Sequence, residues 1–300
     1  MIKGAGVILW RERRPLELEV ALIHRPRYDD WSFPKGSVET DENPLKTAYR
    51  ECLEETGIDS ILGSYIGDVT YEVTEGKKRI HYWMAKANRS ITNFTPNEEV
   101  DQLAWTSIKE ARHFLTHEDD KQLLTKFVRM ERYSNVLILL RHGKAVKREE
   151  WFGEDTDRPL SHKGQMQSKK LSNLFQAYGI TEIHSSDAQR CLNTAESIAR
   201  ELKIEMKATP MLSEDMYEKD DNAAIDYVIQ ILKFNKNQIV CSHNPMFTDI
   251  LFAFENHRDF SRKLPKLSPA DAWVIHHQGN RIISAEALPA PRVEKSAELD

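Results

Sequence analysis

The sequence predicts two domains of different class: an α+β domain followed by an α/β domain with a largely parallel sheet. Three observations carry this. The chain has 300 residues, which is about twice the usual domain length. Up to about residue 130, strand-like runs surround one strongly helical stretch. From residue 135 the pattern changes to strand, helix, strand, helix, as a parallel layer requires. No Gly/Ser-rich or Pro-rich linker marks a border, so the change of pattern at 131–134 sets it. The expected division is 1–132, 133–290 and a polar tail over 291–300.

In the first domain, apolar β-branched runs at 4–10 and 18–24 flank a polar turn. The stretch Pro44–Thr56 is helical, with Pro at its start and Gly57 just past its end. Alternating segments at 64–74 and 79–87 enclose the turn-type cluster 75–78, which predicts a hairpin. Residues 107–130 read as helical, in two apolar-periodic segments joined by the polar residues 117–120. The second domain opens on the buried-type strand 136–140. Helices follow at 163–178, 188–202, 222–234 and 245–256, with strands at 182–186, 238–241, 272–277 and 281–287.

Composition excludes several function classes. Net charge is −5 and is spread over both halves, so no polybasic surface awaits a nucleic-acid duplex or an anionic membrane. The most apolar run, 136–140, is far short of the ~20 residues of a spanning helix. The run 4–10 is too short for a signal-peptide core. Cys52, Cys191 and Cys241 are odd in number and form no Cys-x-x-Cys pair, which predicts reduced thiols in a cytoplasmic protein. The oligomeric state is left open.

The first constellation is Gly36, Glu42, Arg50, Glu51, Glu54, Glu55 and Gly57. On a helix Glu51, Glu54 and Glu55 are related by i, i+3 and i+4 and share one face, where like charges repel. A hard divalent cation relieves that repulsion. Mg²⁺ suits the site, because it prefers carboxylate oxygens, waters and substrate phosphates; it would neutralise charge in phosphoryl transfer. Mn²⁺ is the alternative ion. A solvated acidic helix face is the ordinary reading of a charge run. Here seven fixed letters recur by chance roughly once in 10⁹ start positions, which decides against it.

This string resembles the Nudix box of the Nudix hydrolase superfamily, whose members cleave nucleoside diphosphates linked to another moiety. The resemblance implies a Nudix fold, with Glu51, Glu54 and Glu55 as metal ligands and the Gly36 carbonyl as a further one. It implies that Glu42 and Arg50 brace the loop on the helix. Cys52 stands where an aliphatic residue is usual, and it serves equally as a small hydrophobe. Which carboxylate acts as base is left open by the box, and Glu98 and Glu99 are candidates for an extra ligand or base.

Lys35, just ahead of Gly36, can hold a phosphate as a point charge. The lysine form resembles the branch that handles diadenosine polyphosphates or diphosphoinositol phosphates. Arg25, Lys77, Lys78, Arg79 and His81 are further phosphate contacts, each weighed against a solvated surface charge. Trp31, Tyr82 and Trp83 are candidates to stack on a base, against the commoner role of core aromatics.

The second constellation is Arg141-His142-Gly143 at the end of a buried strand, Ser185-Ser186-Asp187 leading to Arg190 at a helix start, and Ser242-His243-Asn244-Pro245 after another strand. Ligands of open α/β sheets bind at that edge. Arginines bind phosphate bidentately, and a neutral imidazole is a nucleophile near pH 7. A phosphohistidine would form on His142. Arg141, Arg190 and His243 would complete the pocket, and Glu214 or Asp215, in the loop after Pro210, would protonate the leaving oxygen. The combination resembles the short bacterial branch of the histidine phosphatase superfamily, as does Arg158-Pro159-Leu160 followed by Gly164.

The order of the two motifs resembles the bacterial two-domain MutT-type hydrolases, as do residues 94–101 and 211–217. That resemblance implies hydrolysis of 8-oxo-guanine nucleoside triphosphates and of diadenosine polyphosphates, with nucleotide-pool sanitation as the role. Diphosphoinositol or ADP-ribose hydrolysis and a low-turnover nucleotide sensor are the competing functions. For the second domain, phosphate removal competes with a binding and docking role.

Overall fold

Residue by residue, the first strand shows why the first half folds as it does. In the computed structural model, which describes residues 2–73, 76–88 and 94–293, β1 (Ile2–Arg14) buries Gly4 through Trp10 without a break. A strand buried on both faces needs no polar alternation. Strands flank it on both edges: β2 (Glu17–Arg25) runs antiparallel to one side, and β6 (Gly76–Ala87) runs parallel to the other. With β3 (Asp30–Ser32) and β5 (Ser60–Val73), the sheet order is β3-β2-β1-β6-β5. β4 (Lys35–Ser37) adds to β1, and β7 (Gln102–Ser107) adds to β2.

Helix α1 (Pro44–Thr56) starts on Asn43, whose side chain accepts from the Leu45 N–H, and stops at Gly57 in the left-handed conformation. It packs on β1 and buries Leu45, Ala48 and Cys52. Ile8 and Trp10 of β1 join Ile80, Tyr82 and Met84 of β6 in a cluster with Leu123, Leu124 and Phe127. Those leucines and the phenylalanine come from α3 (Glu118–Arg129), which follows α2 (Ile108–Phe114). Ser107 and Glu110 close a capping box on α2.

The second half is built on β8 (Asn135–Arg141), β9 (Glu182–Ser186), β10 (Glu205–Thr209), β11 (Gln238–Ser242), β12 (Ala272–Gln278) and β13 (Arg281–Leu288). Their order is β10-β9-β11-β8-β12-β13. The first four run parallel, and β12 and β13 run antiparallel at one edge. The helices are α4 (His162–Phe175), α5 (Gln189–Leu202), α6 (Glu214–Lys219), α7 (Ala223–Leu232), α8 (Asn244–Ile250) and α9 (Arg258–Ser261). Leu137, Leu139 and Val240 of the sheet meet Val228, Phe247 and Ile250 of α7 and α8 in the core. Contacts divide the chain into two compact units, Met1–Arg132 and Tyr133–Asp300. Among the described residues no helix is long and apolar enough to cross a membrane.

Four expectations are corrected. Lys77 and Lys78 do not form a turn: they pair with Glu72 and Tyr71 inside the β5–β6 ladder, and residue 75 lies outside the described residues. Residues 118–120 are not a connection but the acidic first turn of α3, where negative charge suits the helix N-terminus. Glu214 and Asp215 lie not in a loop but in the first turn of α6, which Ser213 caps by accepting from the Met216 N–H. The helix expected at 245–256 ends at Ile250 and continues only as a short 3-10 turn. Residues 294–300 of the expected tail lie outside the described residues.

Candidate active sites

In the first unit the loop and the helix are pressed together. A Cβ on Gly36 would lie 2.0 Å from the Glu51 carboxylate, so only glycine fits. Arg50 grips Glu42 through two nitrogens, at 3.1 and 2.9 Å, and also reaches the Ser37 carbonyl, Glu51 and Glu54. One guanidinium therefore holds both the loop and the carboxylate face. Glu55 is buried and accepts the Lys35 backbone N–H at 2.7 Å. Burial pushes its carboxyl above the usual range. Burial also raises Glu51, to which the nearby Glu54 and Glu99 add.

The donor set fits a hard divalent cation: it is all oxygen, and its charge is only partly offset by Arg50. Among the described residues no three such side chains already stand close enough together to hold an ion. Glu51, Glu54, Glu55, Glu99 and the Gly36 carbonyl are the groups that could do so.

A cleft of about 490 Å³ is lined by Arg25, Lys35, Lys78 and Tyr82, together with Tyr28, Tyr71, His117 and the carboxylates Asp30, Asp119 and Asp120. Four of the expected substrate contacts thus share one cleft. His81 does not join them. It follows Ile80 and precedes Tyr82 on β6, so its side chain leaves the other face, where Tyr65 lies 3.1 Å from its Nδ1. Trp31 packs edge-on against Phe114, and Trp83 is buried beside Tyr65. Burial alone would raise Asp30, but hydrogen bonds from Arg25 and His117 outweigh it and hold the carboxyl at about 2. Lys35 therefore faces anions as well as cations, with its ammonium on the Phe33 carbonyl at 3.3 Å.

Sequence reasoning missed Tyr28, Tyr71, His117 and Asp120. Asp120 is 3% exposed and its Oδ2 has no hydrogen-bond partner. A carboxylate inside an amphipathic helix gives no local sign that it lines a cleft.

In the second unit β8 and β11 are neighbours, with Arg141 opposite Ser242. His142 and His243 therefore leave the sheet side by side, their rings 5.2 Å apart. His142 donates its Nδ1–H to the Gly143 carbonyl at 2.8 Å, which leaves the Nε2 lone pair as the nucleophile. Burial holds this imidazole at about 3, and Arg190 and Arg141 push the same way, so it is neutral at physiological pH. His243 is lowered by burial and by the same arginines.

Arg190 is buried and ion-paired to Glu214 and to Asp155, the latter at 3.2 Å. Glu214 also lies 3.4 Å from the His243 Nδ1. Gly143 and Gly164 let the chain close tightly. A Cβ on Gly164 would fall 2.1 Å from the Lys144 carbonyl, so α4 reaches the catalytic loop only with glycine there. The pocket holds about 450 Å³ and is lined by Arg141, His142, Glu214, His243, Asn244 and Lys266. Asp155 and Lys266 carried no motif and were missed.

A carboxylate helix locked to a glycine loop, beside a cleft of cations, carboxylates and tyrosines, is the arrangement of a phosphoanhydride hydrolase, the class to which the matching family and relatives belong. Residues 2–127 match the NUDIX domain family, and residues 137–238 match the histidine phosphatase superfamily (branch 1). The chain belongs to both, one in each half. It is 33% identical over 298 residues to an 8-oxo-(d)GTP phosphatase of Mycolicibacterium smegmatis (strain ATCC 700084 / mc(2)155), covering 97% of this chain and 92% of the relative. It is 32% identical over 133 residues to an asymmetrical bis(5'-nucleosyl)-tetraphosphatase of Sus scrofa, covering 41% of this chain and 90% of the relative. The protein histidine phosphatase SixA complexed with tungstate matches with a TM-score of 0.43 at 17% identity, covering 51% of this chain and 96% of that one.

Proposed function

We propose that residues 1–132 form a Mg²⁺-dependent pyrophosphohydrolase of 8-oxo-dGTP, 8-oxo-GTP and diadenosine polyphosphates, in nucleotide-pool sanitation in the cytoplasm. Residues 133–290 would then form a phosphatase domain acting on a phosphorylated product. The observation that carries the first part is the contact of Gly36 with Glu51 beside the cleft of Arg25, Lys35, Lys78 and Tyr82. The names of the two relatives support the substrate classes.

Glu51, Glu54, Glu55, Glu99 and the Gly36 carbonyl would hold the metal, which when bound neutralises phosphate charge and lowers the pKa of a water. Arg50 keeps the carboxylates in place through its contacts to Glu51 and Glu54. Arg25 and Lys78 attract the polyphosphate, and Tyr28 offers an exposed ring to a base. In the second unit His142 Nε2 is the nucleophile, and Arg141 and Arg190 take the phosphoryl charge.

Product analysis with 8-oxo-dGTP, diadenosine tetraphosphate and ADP-ribose in parallel tests this in Mg²⁺. Faster turnover of the first two, lost in Glu54→Gln with Glu55→Gln, is expected. Unchanged turnover in that double variant, or a preference for ADP-ribose, overturns it.

A further inference from the structure

The second pocket is larger than one phosphoryl group needs, and its walls are unequally charged. At about 450 Å³ it has the size of a small-molecule site. One wall is self-neutralised, since Arg190 is paired with both Asp155 and Glu214. The lining also includes Lys266, an exposed residue whose ammonium has no carboxylate partner among the described residues.

The backbone on both sides of Lys266 is pinned. The Pro265 carbonyl accepts from Trp273 Nε1 at 3.0 Å. The Leu267 carbonyl accepts from Arg141 Nη1 at 2.8 Å and from Asn244 Nδ2 at 2.7 Å. The arginine that faces the phosphoryl group thus also fixes the strand of chain that presents the lysine.

Glu214 supplies a second, independent constraint. Its carboxylate oxygen already accepts from Arg190 and stands beside His243. A group held as an acceptor is poorly placed to give a proton to a leaving alkoxide. A leaving phosphate needs no such proton, because it departs as a stable anion.

We propose that Lys266 binds the inner phosphate of a nucleoside diphosphate whose terminal phosphoryl group sits between His142 and His243. This rests on the phosphatase reading of the second unit and names its substrate class. The His142 Nε2 lone pair forms a P–N bond as the bridging P–O bond breaks, and the electron pair leaves on the nucleoside monophosphate. Water then forms a P–O bond as the P–N bond breaks. That electron pair returns to Nε2, and the proton of the water goes to the released phosphate. Lys266 neutralises the inner phosphate as it gains charge.

The test uses the full chain, with guanosine diphosphate and p-nitrophenyl phosphate as probes. The His142-dependent rate is the rate of the unaltered chain minus that of His142→Ala, which removes any contribution from the first unit. Lys266→Met should raise KM for guanosine diphosphate about tenfold or more, and should raise KM for p-nitrophenyl phosphate by a clearly smaller factor. Lys266→Arg should keep the diphosphate KM. Equal effects on both probes, or on neither, overturn the role of Lys266. His142-dependent turnover of p-nitrophenyl phosphate without turnover of the diphosphate overturns the substrate class and spares the phosphatase reading. Absence of His142-dependent turnover of either probe overturns both.

Discussion

The Cα of Gly36 stands so close to Glu51 that a Cβ would fall 2.0 Å from its carboxylate. Either the side chain or the loop would have to move. Gly36→Ala should therefore lower kcat about 100-fold, the scale of a 1 Å misplacement at a reacting centre. Far-UV circular dichroism should be unchanged. A variant within threefold of the unaltered rate would contradict the close packing (roughly 0.6 kcal/mol).

Arg50 offsets three carboxylates at once: Glu42, Glu51 and Glu54. Arg50→Met leaves them facing each other and should cost about 1–3 kcal/mol. Added Mg²⁺ should then raise Tm more in the variant than in the unaltered chain, since the cation relieves the same repulsion. Equal Mg²⁺ shifts in the two proteins would show that Arg50 does not serve this charge balance.

Gly164→Ala sets two effects against each other. Alanine favours a helix by about 1 kcal/mol over glycine. The new Cβ, however, would sit 2.1 Å from the Lys144 carbonyl, with the backbone nitrogen of Lys144 at 2.9 Å. Overpacking of this kind costs about 1–3 kcal/mol, and a rigid backbone offers no relief, so destabilisation should win. The urea midpoint of the second unit reports the sign.

His142 ties stability to pH. Its imidazole is held at about 3 in the folded chain, from an ordinary value of 6.5. Between those values the unfolded chain takes up a proton that the folded one refuses, so stability falls as pH falls from 6.5 towards 3. The slope contributed is at most about 1.4 kcal/mol per pH unit, and His142→Gln should reduce it. His142-dependent turnover should show no inflection near pH 6.5 from the nucleophile; one there would place the imidazole in solvent.

The sequence made some of this visible and hid the rest for physical reasons. Helix α1 was legible to both ends because Pro44 and Gly57 are local signals. His142 and His243 were legible because each follows a short buried strand. The pairing of His81 with Tyr82 as cleft residues ignored strand alternation, which sends neighbours to opposite faces. Asp120 and Tyr71 reach the cleft only because α3 packs on the sheet, a contact between distant parts of the chain. Lys266 is placed by hydrogen bonds from Arg141 and Trp273 to its neighbours' carbonyls, and no local spacing encodes such bonds.

The two histidines of the second unit are about as far apart as two strands. Their 5.2 Å separation matches the roughly 4.8 Å between paired strands, because Arg141 and Ser242 are register partners. The reacting geometry is therefore fixed by backbone hydrogen bonds in the sheet. The segment bearing Lys266 is tied to that geometry through the Pro265 and Leu267 carbonyls, so its exposed side chains can change charge while those bonds stay. Changing the charge of the exposed side chain at 266, with Pro265 and Leu267 kept, should alter which phosphorylated molecules enter, while the distance from attacking nitrogen to partner imidazole stays the same. Recognition rests on a side chain and reactivity on the sheet, joined through the bond from Arg141 to the Leu267 carbonyl.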